Sequence, residues 1–445
     1  MEKIVHIVHC IDTEGPLHES LEATFERLHD IFHLDLEPTR RNLEQLQRRE
    51  IPLGGMEEDV ARLVDPHQLN YHDTWDKIDG MLAEIMALPF RNAMKDSFGN
   101  GWVYNWHCVD HVGYDYNPRR RDMGYHNIFD HYTRKIRTTG STRDAIHFHF
   151  HPQPFNRKAH HCATRYFAHT DTLFQIIARR IIERGWFPSV NRAGFHTVRP
   201  DSHWFLEQFV PFDISNQACD EDYGGQVDLA GGRFGDWRRA PATWAPYHPS
   251  HDDYQVPGGC RRWIARCLNM GMRIRILTQK DMDQAFAEAE EGKPVVLAFA
   301  DLDYRDMRED IRGVRSMVKA ASRRYPGVKF RFCEAREAMR GALSLEERMP
   351  CALTFGLEGG TLSISSDSPT FGPQPFLALK TRSGEFYSDN LDIQQPFREW
   401  SYTLDEQTFP AGALEAIGVG TCDPTGNVTT AVMDMATGRV RTTFL

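Results

Sequence analysis

Runs of apolar residues alternate with amphipathic segments up to about residue 345. Eight apolar, β-branched or aromatic runs predict strands, and they cover residues 3–12, 101–112, 145–151, 187–192, 212–216, 273–277, 294–300 and 328–332. Apolar residues at helical spacing predict helices between them, over residues 21–33, 41–49, 73–88, 172–184, 202–208, 280–290, 306–323 and 334–343. Such alternation builds a parallel sheet or barrel with helices outside, and active sites in these α/β folds lie at the C-terminal ends of the strands.

The pattern changes after about residue 346. Short alternating strands separated by turns are indicated near residues 351–355, 361–365, 375–381, 397–403, 413–419, 428–434 and 438–444, which is typical of a β-sandwich. We therefore predict two domains, an α/β domain in residues 1–345 and a β-rich accessory domain in residues 346–445. The accessory domain would serve as a structural lid or as the contact between the copies of a homo-oligomer.

Composition narrows the classes of partner. The chain has 445 residues and a formal net charge of −10, which argues against nucleic acids and anionic membrane surfaces because both are negative themselves. No apolar stretch is long enough to span a bilayer, and the first apolar run, broken by His6 and His9, predicts a buried strand rather than a secretory signal. Nine cysteines without a CxxC pair favour a reducing compartment. We predict a cytoplasmic protein.

Two groups of residues in or beside predicted strands have side chains of the types that bind metal ions. Asp12 and Glu14 end the first strand and share one side of an extended backbone, so their carboxylates can converge. His147, His149 and His151 face one way in the third strand, with neighbours about 6.6 Å apart, a spacing that lets two imidazoles chelate one ion. The outer two would be about 13 Å apart and could share an ion only if the chain turns. Two histidines with a carboxylate and open positions for water make a hydrolytic metal site.

Further candidates lie near the same strand ends. Arg192, in the run Arg-Ala-Gly-Phe-His that ends at His196, could orient a carboxylate through a bidentate contact. Residues 119–121 are three arginines, which could hold a phosphate or an acidic sugar or form a solvated basic loop. His111 ends the second strand and should point toward the same end of the fold.

The segment from residue 237 to residue 259 interleaves aromatic and polar side chains. This composition suits sugars, which stack on rings while their hydroxyls form hydrogen bonds, but it equally suits a loop packed by its own aromatics. Its candidate substrate-binding residues are Trp244, Tyr247 and His248.

The order of these motifs resembles the polysaccharide deacetylase superfamily (NodB-like, carbohydrate esterase 4-like). The acidic pair, the histidine-rich motif ending in His-Pro and the Arg-x-Gly run follow one another as in that family, and residues 212–215 are similar to a later strand of it. The resemblance covers roughly residues 3–343 and implies a distorted (β/α) barrel. It implies that Asp12 is the catalytic base, that Glu14 is a metal ligand and that Arg192 orients the base. The family starts with Asp-Asp and this chain with Asp-Thr-Glu, so the two acidic roles could be exchanged.

The resemblance also implies a divalent metal ion, zinc or another, held by two of the three histidines. The family's usual spacing would select His147 and His151, whereas its shorter form, favoured by the chelation spacing, would select His149 and His151. The family's late histidine, a general acid, has no match here, because the corresponding strand ends in Asp301 and Asp303. One of these would need a raised pKa to donate a proton. The other candidates for the acid are three histidines: His111, His196 and His248.

Together these features predict a metal-dependent hydrolase that removes an N- or O-acetyl group from an amino sugar or glycan precursor. A nucleotide-linked or lipid-linked sugar would be a suitable substrate. The alternatives are hydrolysis of another non-peptide C–N bond, as in a cyclic amide or ureide, and a non-catalytic glycan-binding protein. A glycosidase is a further alternative, and it would need two carboxylates, such as Asp12 and Asp301, about 5–9 Å apart.

Overall fold

Seven parallel strands close into a barrel. They are β1 (Ile4–Thr13), β2 (Asn105–Cys108), β3 (Ala145–Phe150), β4 (Val190–Ala193), β5 (Phe212–Asn216), β6 (Trp263–Asn269) and β7 (Val295–Leu302). The ring closes because β1 pairs with both β2 and β7, and β8 (Lys329–Phe332) adds to the N-terminal half of β1. The computed structural model describes residues 2–158, 166, 170–219 and 235–445. The predicted (β/α) barrel is confirmed.

Helices follow most of the strands and surround the barrel. They are α1 (Leu21–Phe32), α2 (Arg40–Gln47), α3 (Glu57–Leu63), α4 (Trp75–Ile85), α5 (Leu88–Arg91), α6 (Asn127–Thr138), α7 (Thr170–Arg184), α8 (Pro200–Phe209), α9 (Gln279–Glu290), α10 (Met307–Arg324) and α11 (Ala335–Leu343). Hydroxyl caps start several of them, as where Thr278 Oγ1 accepts from the backbone N–H of Asp281 at α9. No helix among the described residues is long and apolar enough to cross a membrane.

Alternate residues of the strands face the inside of the barrel. On β1 these include Val8 and Cys10, which belong to one apolar group with Ala298 of β7. Helix α11 packs Ala335 and Ala338 against the same group. This helix therefore closes the end of the barrel where the strands begin, and we call that end the base. The end where the strands finish contains a cavity, and we call it the mouth.

The sixth strand differs from the prediction. The sequence pattern favoured residues 273–277, whereas the structure places β6 at Trp263–Asn269. Arg262 and Arg266 interrupt the apolar pattern there, yet both are buried and paired with carboxylates, at 2.7 Å and 3.1 Å respectively. The strand was missed because buried arginines look like surface positions when their partners are unknown.

The C-terminal region forms two antiparallel sheets. Its strands are β9 (Leu353–Glu358), β10 (Thr361–Ser366), β11 (Phe376–Thr381), β12 (Phe386–Asp389), β13 (Asp392–Gln395), β14 (Glu399–Thr403), β15 (Leu414–Cys422), β16 (Val428–Asp434) and β17 (Val440–Phe444). One sheet has the order β13-β14-β10-β9 and the other β12-β11-β15-β16-β17. Leu362 and Trp400 of the first sheet share an apolar core with Leu379 and Ile417 of the second. The predicted sandwich-like region is confirmed.

The five-stranded sheet also packs against the barrel. Helix α7 contacts β11, β12 and β15, and a Cβ on Gly420 would lie 2.5 Å from the ring of Phe187. Only glycine permits this approach, so the two regions share a continuous apolar core. The domain boundary between residues 345 and 346 stays a prediction.

Candidate functional site

Three buried side chains converge at the mouth of the barrel. Glu14 directly follows β1, His149 lies near the end of β3 and His151 directly follows β3. One ligand atom of each lies within 4.8 Å of the other two. The two histidine Nε2 atoms are 2.9 Å apart, and His151 Nε2 is 3.6 Å from Glu14 Oε1. These separations suit a small divalent ion, whose nitrogen ligands in a tetrahedral site are roughly 3.3 Å apart. We call these residues the metal triad.

Hydrogen bonding orients one histidine and burial acts on the other. His149 Nδ1 lies 2.8 Å from the carbonyl oxygen of Arg192, so Nδ1 donates and Nε2 is the ring nitrogen directed at the triad. Burial, followed by the neighbouring His149 and Arg121, lowers the pKa of His151 well below its ordinary value. Neutral imidazole is the ligand that divalent ions take. The metal triad could therefore bind a metal ion, and the residues do not specify which one.

Packing holds the ring of His151 in place. The ring of Phe195 lies 4.4 Å from it, centroid to centroid. A Cβ on Gly194 would lie 2.3 Å from His151 Cδ2 and 2.3 Å from the carbonyl oxygen of Phe150. The Arg-x-Gly run thus needs glycine because the histidine approaches the backbone there. Phe195 and His196 follow with φ of 51° and 55°, and such left-handed backbone is often found at functional sites.

Asp12 lies beside the metal triad and is oriented by an arginine. Arg192 Nε donates to Asp12 Oδ1 at 2.7 Å, and both side chains are buried. Burial alone would lower the pKa of Arg192, but the Asp12 carboxylate outweighs it and raises that pKa. Asp12 Oδ1 is 3.7 Å from His149 Nδ1. The structure thus brings together the carboxylate and the arginine that the sequence paired.

Glu14 is held from two sides. Its carboxylate accepts a hydrogen bond from Arg121. Burial would raise the pKa of Glu14, but Arg121, with His111 and His149, outweighs it and lowers that pKa. The backbone N–H groups of Glu14 and Gly15 each donate to the carboxylate of Asp303 at 2.9 Å.

Asp303, which the sequence offered as a candidate proton donor, therefore contacts the turn that carries Glu14. Tyr132 donates to it at 2.8 Å in addition to the two backbone amides, and it is fully buried. Burial raises its pKa to about 7. All of these contacts fix the turn that carries Glu14, so we assign Asp303 to positioning rather than to proton donation.

Asp301 also lies away from the cavity. On β7 the inward residue is Leu302, which lines the cavity, so Asp301 faces the surrounding helices. There it accepts from His9 Nε2 at 2.8 Å. Burial, followed by the charge of Asp12, raises its pKa to about 8. Asp301 does not face Asp12 across the cavity, so the geometry does not support the glycosidase pair. The sequence could not orient these aspartates because β7 is apolar on both faces.

His196 is the candidate proton donor that reaches the cavity. It lines the cavity together with Asp12 and the metal triad. Arg192 Nη2 donates to His196 Nδ1 at 3.1 Å, so the proton of a neutral ring resides on Nε2. Burial, then Arg192, lowers the pKa of His196 well below its ordinary value. The ring therefore offers a neutral N–H donor.

His147 is separated from the metal triad. Its Nε2 lies 3.1 Å from Glu334 Oε1 and 3.1 Å from Asn105 Oδ1, and its ring lies 5.1 Å from that of His107. Glu334 precedes α11, so these contacts belong to the base of the barrel. We therefore assign His147 to the base of the barrel rather than to the metal triad, because its Nε2 contacts a carboxylate and an amide.

The other predicted substrate-binding residues lie off the cavity wall. Trp244 is fully buried, and its indole N–H donates to the carbonyl oxygen of Asp281 at 3.0 Å. The hydroxyl of Tyr247 donates to the carbonyl oxygen of Tyr254 at 2.8 Å. His248 lies against the ring of Trp263, at 3.4 Å between centroids. The described part of this aromatic segment is thus packed on itself and on the barrel, with no ring free to stack on a sugar.

His111 occupies a different position. Its ring meets that of His151 edge to face, 5.9 Å away, and it is fully buried. Neither ring nitrogen has a hydrogen-bond partner among the described residues. It adjoins the metal triad, but it is not one of the described residues on the cavity wall.

The cavity above the metal triad has a volume of about 230 Å³. The described residues that line it include five arginines, which are Arg27, Arg119, Arg121, Arg273 and Arg305. The sequence indicated the second and third of these through the run at residues 119–121. The other three come from a helix and two loops, and no local pattern distinguishes them from surface arginines.

Comparison with known proteins gives little further information. No protein-family model matches this sequence, and no curated protein matches it. One solved structure with some likeness to the chain is an endo-beta-1,4-mannanase double mutant from Cellulomonas fimi. It is 10% identical, the match covers 77% of this chain and 86% of that chain, and the TM-score is 0.24. At this TM-score the likeness supports no argument about the function of this chain.

Proposed function

We propose that this protein is a metal-dependent hydrolase that removes an N- or O-acetyl group from an amino sugar or glycan precursor. The observation that carries the proposal is the position of the Asp12–Arg192 pair beside Glu14, His149 and His151 at the mouth of the barrel. A base next to two histidines and one carboxylate is the set of groups that metal-assisted hydrolysis requires.

Each side chain has a defined task in this proposal. Glu14, His149 and His151 would hold a divalent ion, which when bound lowers the pKa of a coordinated water and polarises the acyl carbonyl. Asp12 takes the proton of the attacking water. Arg192 fixes the carboxylate in one orientation, because its Nε donates to Asp12 Oδ1 at 2.7 Å.

His196 serves the leaving group. Its Nδ1 accepts from Arg192 at 3.1 Å, so its Nε2–H is available on the cavity wall. A neutral imidazole N–H can donate a hydrogen bond to the leaving nitrogen or oxygen, and the proton that Asp12 takes from the water passes to that leaving group. The sequence offered His196 for the leaving-group side of the reaction, as it did Asp301 and Asp303.

The test compares acetate release by the wild type and by Asp12→Asn. Metal-loaded wild type is screened against N-acetylated and O-acetylated sugars, and acetate is measured. We expect Asp12→Asn to keep the bound ion and to lose at least about 100-fold in rate, as expected for removal of a general base. Metal-loaded wild type that releases no acetate from any acylated sugar would contradict the proposal. Release of ammonia or ring opening from a cyclic amide would indicate another C–N bond instead.

A further inference from the structure

The cavity has a positively charged wall beyond the metal triad. Arg27 lies on α1, Arg119 in the loop after β2, Arg273 in the loop after β6 and Arg305 just after β7. We call these four residues the arginine group. They come from four separate parts of the sequence and meet in one cavity, although the chain as a whole has a net charge of −10.

The described wall of the cavity carries more arginines than carboxylates. Arg27 Nη2 lies 2.9 Å from Glu19 Oε1 and Arg119 Nε lies 3.6 Å from Glu19 Oε2, so one carboxylate serves two guanidinium groups. The described wall has five arginines and three carboxylates, those of Asp12, Glu14 and Asp30. The first of these carboxylates is paired with Arg192 and the second with Arg121.

Arg305 has unused capacity for hydrogen bonds. Its Nε and Nη1 atoms are buried and have no hydrogen-bond partner among the described residues. Its guanidinium group lies 5.2 Å from the ring centre of Tyr71 and 5.8 Å from that of Tyr304. Arg305 also lines the cavity, and the planar guanidinium group of arginine is suited to carboxylate and phosphate.

The members of the group also oppose one another electrostatically. Burial, followed by the charge of Arg27 and then that of Arg305 among other groups, lowers the pKa of Arg273 to about 10. Clustered cations of this kind destabilise a folded protein unless an anion is bound between them. An anionic ligand would therefore satisfy Arg305 and relieve this repulsion at once.

We propose that the arginine group binds an anionic group of the substrate, a phosphate ester or a carboxylate, while the acyl group lies at the metal triad. The inference rests on the proposed function and specifies its substrate class: an acylated sugar that carries a negative charge. Arginine forms paired hydrogen bonds to both kinds of anion. Arg305 would then determine specificity, since it contacts the anion and not the reacting atoms.

The first experiment measures anion binding without hydrolysis. Inorganic phosphate is titrated calorimetrically into chelator-treated protein, so that the metal triad cannot bind it through an ion. We expect binding to the wild type and a loss of at least about tenfold in affinity for Arg305→Gln. Arg305→Lys keeps the charge and loses the paired geometry, so it should fall between them. Arg312→Gln, at a half-exposed arginine on α10, is the matched control and should bind phosphate like the wild type.

The second experiment distinguishes the sources of the anion. N-acetylglucosamine, N-acetylglucosamine 1-phosphate and N-acetylneuraminate are compared as substrates of the metal-loaded enzyme. We expect the KM of a charged sugar to be at least about tenfold below that of the neutral one, and Arg305→Gln to remove this difference. Arg305→Gln should change kcat little, because Arg305 does not contact the acyl group.

The results separate this inference from the proposed function. Phosphate binding that depends on Arg305, without any hydrolysis, would support the anion site and contradict the hydrolase. Absence of phosphate binding to the wild type, or equal binding by wild type and Arg305→Gln, would overturn the anion site. Hydrolysis of the neutral sugar as efficiently as of the charged ones would overturn it too and leave the hydrolase standing.

Discussion

The mouth and the base of the barrel contain histidines of the same strand in different surroundings. At the base, His147 lies 3.1 Å from Glu334 and 3.1 Å from Asn105, beneath the helix that closes the barrel. At the mouth, two and four residues further along, His149 and His151 direct their Nε2 atoms at one another across 2.9 Å. The same residue type at the same spacing is therefore held by protein partners in one place and belongs to a candidate metal site in the other.

The histidines at the two ends differ in the side chains that contact them. Burial with a carboxylate and an amide satisfies the hydrogen-bonding capacity of His147, so its removal should cost folding free energy. His149 and His151 instead converge with Glu14, and each offers a ligand atom within 4.8 Å of the others. Strand alternation predicts which side chains face inward, and the partners decide which of them are free to bind a ligand.

The largest expected effect is on stability, at the base. Glu334→Ala removes the partner of His147 and the side-chain cap of α11, where Glu334 accepts from the backbone N–H of Glu337. We expect the free energy of unfolding to fall by about 3 kcal/mol, through loss of the helix cap and of a buried hydrogen-bond partner, with bound metal unchanged. Chemical denaturation and elemental analysis measure the two quantities. Loss of metal in this variant would contradict the separation of base from mouth.

A substitution at the mouth should weaken metal binding. A Cβ at Gly194 would lie 2.3 Å from His151 Cδ2, so Gly194→Ala should displace this ligand and weaken metal binding by about 10- to 100-fold. Gly327→Ala is the control, since a Cβ there meets nothing within 4 Å. Competition with a fluorescent chelator gives both affinities. Equal affinities in the two variants would show that His151 does not bind the metal.

Asp301, which is buried between the barrel and the surrounding helices, should make the free energy of unfolding depend on pH. Burial raises the pKa of Asp301 from its ordinary 3.8 to about 8, so the folded state retains a proton that the unfolded chain loses. The free energy of unfolding should therefore fall between about pH 4 and pH 8, by at most about 1.4 kcal/mol per pH unit from this group. Asp301→Asn should remove that part of the slope. Parallel denaturation curves for wild type and variant across this range would contradict the assignment.

The smallest expected effect concerns the aromatic segment. Tyr247→Phe removes a hydrogen bond to the carbonyl oxygen of Tyr254 and should lower the free energy of unfolding by about 1 kcal/mol. Acetate release should stay within about twofold of wild type, because Tyr247 does not line the cavity. A much larger loss of activity with unchanged stability would indicate instead that Tyr247 contacts the substrate.

Much of the fold follows from local pattern, and the site follows in part. The residues of the metal triad and Asp12 stand at strand ends, where alternation and chain order suffice to predict that they converge. Asp301 and Asp303 are not among the described residues on the cavity wall, and the sequence could not show this, since a strand that is apolar on both faces gives no sign of which residues point inward. Arg27 and Arg305 could not be predicted at all, because only the closed barrel brings a helix and a distant loop together.

The most direct test of the account is the metal content of three proteins purified without chelator. Elemental analysis should find about one equivalent of a divalent ion in the wild type and in His147→Gln, and almost none in His149→Ala/His151→Ala. That result would assign the metal to the mouth and a structural role to the base. No metal in the wild type even after addition of zinc, or metal retained by the double variant, would contradict the central claim.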